Sequence, residues 1–125
     1  MSYQADLKDC QKLNGQVAGN GQCVMFVLKV TDAPASSLWS QGKLAKGLGP
    51  IDLPPGTAIA TFGENGKYTN RFDGSAHGAI YISQNAVGID VWDQWTGQPV
   101  HKRTLLFRNG IGLACNDGDK FYVVE

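Results

Sequence analysis

Short segments rich in β-branched and aromatic residues fill the second half of this 125-residue chain. They begin after the turn sequence LPPG at residues 53–56, and turn-forming residues separate each from the next. Before that turn the pattern is helical, with apolar side chains three positions apart within residues 5–13. Helices followed by consecutive strands with short connections predict an α+β domain in which N-terminal helices pack on an antiparallel β-sheet. The predicted strands are residues 57–62, 76–83, 88–95, 100–107 and 120–125.

Cys23 lies between a glycine-rich turn and a nearly unbroken apolar run. The run fits either a helix or a buried strand, because periodicity does not separate these two structures at this length. We favour a helix with Asn20 as its N-cap. The backbone amides and the dipole at a helix N-terminus favour thiolate over thiol. Cys23 is therefore a candidate nucleophile, although buried, unreactive cysteines are common. A further short helical turn is predicted from residue 36, ending at residues 46–47.

The charge balance excludes several classes of function. Eleven basic and eleven acidic side chains give a net charge of zero, and Lys102-Arg103 is the longest basic run. Nucleic-acid binding, which needs a clustered basic face, is not expected. No apolar stretch approaches the roughly 20 residues of a membrane span, so membrane insertion is not expected either. The polar start of the chain predicts that there is no signal peptide. Without one, the ordinary export routes would leave the protein in the cytoplasm. The length predicts one domain over residues 1–125.

The chain has two histidines, and His77 opens a predicted strand. If residues 77–82 pair with 88–93, opposed positions sum to 170 and His77 faces Asp93, within reach of a hydrogen bond. A slip of one residue would put Gln94 there instead, but the charge of Asp93 makes it the better partner for an imidazolium. His101, in a polar alternating stretch, is interpreted as a surface or hydrogen-bonded histidine.

These residues predict a catalytic unit for amide hydrolysis. Cys23 is the nucleophile, His77 the general base and acid, and Asp93 the residue that orients the imidazole. The Cys23 backbone amide is a candidate oxyanion donor, and Gln22 or Gln16 is a candidate for a second. The residues predicted to bind the oxyanion or substrate are Gln22, Gly21 and Gln94.

Two further questions concern the remaining cysteines and metal ions. Cys10 and Cys115 either form a disulfide or remain reduced, and the sequence leaves both open. The acidic stretch at residues 116–119 lacks the spacing of a calcium loop and is interpreted as a turn. No zinc-binding spacing accompanies Cys23 and His77, so neither a metal nor another cofactor is expected.

The order of these motifs resembles a known family. The GQC segment that opens an apolar run, the HGAIYIS strand and the GIDVWDQW and GQPVHKR segments together resemble the papain-like cell-wall peptidases of the CHAP and NlpC types. Over roughly residues 15–125 the chain looks most like the small type VI secretion amidase effectors. The resemblance implies a papain-like fold, and it gives Cys23, His77 and Asp93 the three catalytic roles.

The resemblance also implies a substrate, a partner and a route. The substrate would be the amide bonds of peptidoglycan stem peptides or cross-links, and a cognate immunity protein would inhibit the enzyme. Injection by a type VI secretion system into the periplasm of a target bacterium would need no signal peptide. The enzyme is expected to act as a monomer.

Two other functions stay open at this point. One is a toxin that deamidates or transamidates protein glutamines with the same three residues. The other is a non-catalytic cell-wall binding module, with Trp39, Trp92 and Trp95 lining a sugar- or peptide-binding surface.

Overall fold

A computed structural model describes residues 2–125 of the chain. It confirms the predicted α+β class, with two short helices near the start and a sheet built mainly from the second half. The helices are α1 (Leu7–Lys12) and α2 (Cys23–Val30), and the strands are β1 (Gln41–Leu44), β2 (Ala58–Ala60), β3 (Gly78–Gln84), β4 (Gly88–Trp95), β5 (Gln98–Leu106) and β6 (Tyr122–Val124). Short 3-10 turns lie at Ser36–Leu38, Ala114–Asn116 and Gly118–Lys120.

The strands form one six-stranded antiparallel sheet in the order β1-β6-β2-β3-β4-β5. Alternate residues of the central strands are buried on opposite faces, as the two-residue period of a strand requires. On β2, Ala58 and Ala60 join the core on one face and Ile59 joins the core on the other. Both faces are therefore covered. Helix α2 packs on β3 and β4, and the second face carries a core of its own that includes Leu53 and Phe121.

Tertiary packing holds α2 in a helical conformation. Its sequence, CVMFVLKV, is rich in valine, which has modest helix propensity, and the helix is only eight residues long. Val24, Phe26 and Val27 lie on one side and are buried against the sheet. The helix ends at Thr31, whose backbone is extended and whose hydroxyl donates to the Val27 carbonyl at 2.8 Å. No helix within residues 2–125 has the length and apolar character that crossing a bilayer would require.

Two local predictions are wrong. The N-cap of α2 is Gln22, and Asn20 instead accepts a hydrogen bond from the Gln22 amide at 3.0 Å. The helical turn predicted from residue 36 is limited to Ser36–Leu38, and strand β1 follows it. The sequence QGKL of β1 is too short and polar to show a strand pattern, and its pairing with β6 defines it.

The predicted β3–β4 register is also wrong. Ile80 pairs with Trp92 and Tyr81 with Val91, so opposed positions sum to 172 and not 170. An irregularity between Tyr81 and Ser83 shifts the remaining pairs by one more residue. A shift of two keeps every side chain on its original face, because the period of a strand is two. His77 and Asp93 thus become diagonal neighbours, still within reach of each other.

Candidate active site

Cys23 is the first residue of α2, and a tight glycine loop leads into it. Gly19 and Gly21 both have positive φ values, +55° and +90°. A Cβ at Gly19 would lie 2.9 Å from the Met25 side chain, so that position also lacks room for a larger residue. The Cys23 amide opens the helix and has no intrahelical acceptor, which leaves its N–H available to a ligand.

Gln94 on β4 holds this loop in place. Its side-chain oxygen accepts from the Ala18 amide at 2.9 Å, and its side-chain nitrogen donates to the carbonyls of Ala18 at 2.8 Å and Gln22 at 2.9 Å. Both side-chain N–H groups are therefore used. The Gly21 amide is used as well, since it donates to the Ala18 carbonyl at 3.0 Å. These contacts argue against substrate contact for Gln94 and Gly21, and we assign both residues to the support of the loop.

Replacing Gln94 by leucine is expected to lower the free energy of unfolding by about 2 kcal/mol, because the substitution leaves buried backbone groups unpaired. It should also slow turnover under conditions in which the protein stays folded. Gln84→Leu is a matched control, since Gln84 makes the same three kinds of bond to Ala45, Gly47 and Leu48. Chemical denaturation and activity assays should show both variants destabilised and only Gln94→Leu impaired in turnover. Equal loss of turnover in the two variants would contradict this role.

His77 lies immediately before β3 and is buried, with 4% of its surface exposed. Its amide donates to the Thr61 hydroxyl at 3.0 Å, and its ring meets Trp95 and Phe121 edge-on, with centroids 6.2 Å away in each case. The ring Nε2 lies 2.7 Å from Asp93 Oδ2, so the predicted contact between these two side chains is present. Because Nε2 is engaged, Nδ1 is the ring nitrogen left to face Cys23.

Asp93 is fully buried and gathers three nitrogen-bearing side chains. Its Oδ2 accepts from His77 Nε2 and from Arg103 Nε, each at 2.7 Å. His101 Nε2 lies 2.9 Å from Oδ1, although the orientation does not suit a hydrogen bond. His101, interpreted from sequence as an ordinary surface or hydrogen-bonded residue, thus belongs to the surroundings of the carboxylate. Asp93 therefore connects the His77 imidazole to Arg103 on β5.

The electrostatics of the pair favour a thiolate and an imidazolium. Burial opposes ionisation of Cys23, but the hydrogen bond and positive charge of His77 outweigh it and lower the thiol pKa from its ordinary value of 9.0. Burial also opposes protonation of His77. Hydrogen bonds to Asp93 and Cys23, with their negative charges, nevertheless raise the His77 pKa from 6.5 to about 9. The pair thereby favours the sulfur as a nucleophile and the ring as an acid.

Tyr68, which the sequence analysis did not select, lies beside the sulfur. Its hydroxyl oxygen is 3.5 Å from Cys23 Sγ, and its ring packs on Trp39 with centroids 5.0 Å apart. Burial, together with the nearby Cys23 charge, raises the Tyr68 pKa above its usual value. The phenol therefore stays protonated and can donate a hydrogen bond to the thiolate or to an oxygen of a bound substrate.

A cleft of about 590 Å³ opens over these residues. Cys23 and His77 line it, and Gln22, Trp95 and Arg103 are also part of its lining. Gln22 makes no capping hydrogen bond with its side chain. Gln16 is outside the cleft lining, and its side chain donates to the Lys12 carbonyl at 3.2 Å. Of the two candidates for a second oxyanion donor, the geometry favours Gln22.

The other two cysteines are unpaired, so of the two alternatives left open for Cys10 and Cys115 the structure shows free thiols. Cys10 is buried, and burial together with Asp9 and Asp6 raises its thiol pKa to about 12. Burial also raises the pKa of Cys115, which lines the cleft. Cys23 is the one thiol of residues 2–125 whose pKa is lowered. Within that same range, no cluster of three or more potential metal ligands is present.

Hairpin geometry alone would have come within one residue of the Asp93 neighbours on β5. Strands β4 and β5 are joined by a two-residue Thr-Gly turn, and Asp93 pairs directly with His101. Counting back from the Trp95–Gln98 pair at that turn would have placed Val100 opposite Asp93, and the irregularity between Asp93 and Trp95 brings His101 there instead. Arg103 lies two positions beyond His101 and therefore on the same face of β5. Tyr68 offered no such signal, because it lies in an irregular segment.

The whole length of the fold is shared with known proteins. Residues 1–124 match the family described as Domesticated amidase effector 2. A protein of that name from Ixodes scapularis is 41% identical over 73 residues, which are 58% of this chain and 47% of the relative. The type VI secretion amidase effector 2 protein of Salmonella typhi is 37% identical over 89 residues, which are 71% of this chain and 61% of the relative. The aligned regions thus span about half to three-fifths of these curated relatives.

A solved structure, type 6 secretion amidase effector 2 (Tae2), superimposes with a TM-score of 0.76 at 29% identity. The match covers 94% of this chain and 91% of that structure. The predicted papain-like α+β fold and the predicted resemblance to the small type VI secretion amidase effectors are both confirmed. On this evidence the chain belongs to the Domesticated amidase effector 2 family.

Proposed function

We propose that this protein is a cysteine amidase that hydrolyses amide bonds in the peptide stems or cross-links of peptidoglycan. One observation carries the proposal. A cysteine at a helix N-terminus has its thiol pKa lowered by a buried histidine, and that histidine is bonded at 2.7 Å to a buried carboxylate. The cysteine and histidine line one cleft. The relatives described above carry the word amidase in their names, which agrees with this chemistry.

The reaction follows from the positions of these groups. The Cys23 thiolate attacks the carbonyl carbon of a peptide amide, and the His77 imidazolium protonates the departing amine. His77, now neutral, removes a proton from water, which attacks the thioester, releases the acid and restores the Cys23 thiolate beside the protonated ring. Asp93 keeps the ring oriented and stabilises its positive charge through both halves of the cycle.

The oxygen of the tetrahedral intermediate needs donors near the sulfur. The Cys23 amide at the start of α2 is one, since its N–H points out of the helix end. The Gln22 side chain lines the same wall, and the Tyr68 hydroxyl lies 3.5 Å from the sulfur. In this proposal Gln22 and Tyr68 are the candidates for the second donor.

Delivery and partners belong to the proposal as well. The Salmonella typhi relative and the solved structure are named as type VI secretion effectors, whereas the Ixodes scapularis relative is named as a domesticated effector. We infer an antibacterial protein that reaches the periplasm of a target cell through a type VI secretion system. A cognate immunity protein in the producing bacterium would inhibit it by covering the cleft.

Digestion of purified sacculi tests the reaction. The expected result is release of new peptide fragments with free amino and carboxyl ends, separated by chromatography and assigned by mass. The assigned masses also identify which amide bond is cut. Intact sacculi, together with one-dalton increases at glutamine side chains in a target proteome, would favour the deamidase function instead. Absence of both changes would favour a binding module. The structure gives that function little support, because Trp39 and Trp92 are buried and only Trp95 lies at the cleft surface.

A further inference from the structure

The cleft is positively charged, although the chain as a whole is neutral. Within the described part of the chain, its lining includes two arginines and a histidine and contains no aspartate or glutamate. The histidine is His77, whose positive charge is offset by the Cys23 thiolate beside it, so the arginines supply the excess positive charge. A cleft with an excess of one sign of charge concentrates ligands of the opposite sign. This cleft therefore favours an anionic substrate.

The two arginines differ in how their charge is used. Arg103 donates from Nε to Asp93 at 2.7 Å, from Nη1 to Asn116 at 2.8 Å and from Nη2 to the Cys115 carbonyl at 3.0 Å. Its guanidinium also lies over the Trp95 ring, 4.8 Å from the centroid. Arg103 is thus fixed in place, and Asp93 compensates its charge.

Arg71 is the cleft arginine whose guanidinium N–H groups are not used in other contacts. It is exposed, and it takes part in no hydrogen bond or ion pair with any other residue of 2–125. Its charge acts weakly on Asp73, an exposed carboxylate that already accepts hydrogen bonds from Ser75. A guanidinium offers five N–H donors in a planar fork that matches a carboxylate.

The backbone presents Arg71 to the cleft. Asn70, just before it, has a positive φ of 52°, a conformation that asparagine tolerates better than most residues and that turns the chain sharply. Asn70, Arg71 and Phe72 all line the cleft as a result. Phe72 is 78% exposed, so an apolar surface lies next to the free guanidinium. Arg71 also borders a second depression of about 540 Å³, which contains Glu64.

We propose that Arg71 binds a carboxylate of the substrate peptide and makes the enzyme select peptides with a free carboxyl group near the scissile amide. The inference rests on the proposed function and names the substrate class of the same cleft. In a peptidoglycan stem the carboxylate comes either from the D-glutamate residue or from diaminopimelate. Both sources offer the same bidentate partner to a guanidinium.

Alkylation of Cys23 tests the charge of the cleft without requiring turnover. The measurement is the ratio of the iodoacetate rate to the iodoacetamide rate at Cys23, followed by peptide mass analysis. Relative to a small free thiol, the wild-type ratio should be raised, and added salt should reduce it. Arg71→Gln should lower the ratio severalfold and Arg71→Lys should restore most of it. Lys67→Gln, which removes a charge from the same segment but outside the cleft lining, should leave the ratio unchanged. An unchanged ratio in Arg71→Gln would overturn the proposal.

Peptide kinetics then identify the carboxylate. Three cross-linked peptides are compared: the parent, one amidated at D-glutamate and one amidated at diaminopimelate. Wild type should lose about tenfold in kcat/KM on one of the two amidated peptides, and Arg71→Gln should cleave that peptide and the parent at similar rates. Discrimination that survives in Arg71→Gln would also overturn the proposal. If wild type cleaves none of the peptides, the proposed function fails, while the alkylation ratio still reports on Arg71.

Discussion

Cys23→Ala protein is expected to release no peptide fragments from purified sacculi, with kcat reduced on the order of 10⁴-fold or more. The reason is that the nucleophile is lost, and Cys115, which also lines the cleft, has a pKa raised by burial and is a poor replacement. Cys23→Ser should be nearly as inactive, because a hydroxyl remains protonated under conditions in which this thiol ionises. Fragment release is measured by chromatography, and thermal unfolding should show both variants folded.

Cys10→Ala is the matched control for this experiment. It also removes a thiol, but from a buried position outside the cleft lining. Some stability should be lost, since the substitution leaves a small cavity in the core. Turnover below the unfolding temperature should persist. Wild-type turnover in Cys23→Ala would exclude the covalent mechanism, whatever the control shows.

Asp93→Asn is expected to lose both activity and stability. The amide keeps the shape of the side chain but removes the negative charge that His77 and Arg103 share. Removing one partner of a buried ion pair costs about 3 kcal/mol or more, although the partial exposure of Arg103 reduces that cost. Turnover should fall at least about 100-fold, because the imidazole loses both its orientation and the stabilisation of its charged form. Activity assays and denaturant unfolding measure the two effects.

The stability loss in Asp93→Asn should depend on pH in a defined way. Burial opposes ionisation of Asp93, but the bond and charge of His77 and the charge of Arg103 lower its pKa below 3.8. Its contribution is therefore present above pH 3.8 and lost as the pH falls through the folded value. The His77 contribution is complete below pH 6.5 and declines as the pH rises toward about 9.

The difference in unfolding free energy between wild type and Asp93→Asn should accordingly be largest between pH 3.8 and 6.5. It should decrease on the acid side and more gradually on the alkaline side, where Arg103 remains charged. Unfolding measured across this range checks the prediction. A difference that is constant from pH 3 to 9 would mean that neither His77 nor Asp93 titrates as the geometry requires.

Residues whose positions depend on neighbouring sequence were predictable. A cysteine between a glycine turn and an apolar run predicted its place at the start of a helix, and α2 begins at that residue. The contact between His77 and Asp93 was predicted from a register that proved wrong by two residues. The contact was still found because an even shift preserves the face, and long polar side chains reach a diagonal neighbour.

Residues positioned by long-range contacts were not predictable. Gln94 was expected to contact the oxyanion or substrate, but it bonds to backbone groups 72 and 76 positions away in the chain. Tyr68 and Arg71 come from an irregular segment whose path depends on the packing around it and on a positive φ at Asn70. Strand β1 exists because β6 offers an edge to pair with. In each case the determining information lies in a distant part of the sequence.

The nucleophile and its base belong to different layers of the fold, since Cys23 opens α2 and His77 precedes β3. A reactive sulfur therefore exists only while the helix is docked on the sheet. In any state where that docking is lost, such as a nascent or translocating chain, residue 23 reverts to an ordinary thiol. Under the proposed mechanism, catalytic competence would therefore require the completed fold, and an unfolded copy would lack the paired nucleophile and base.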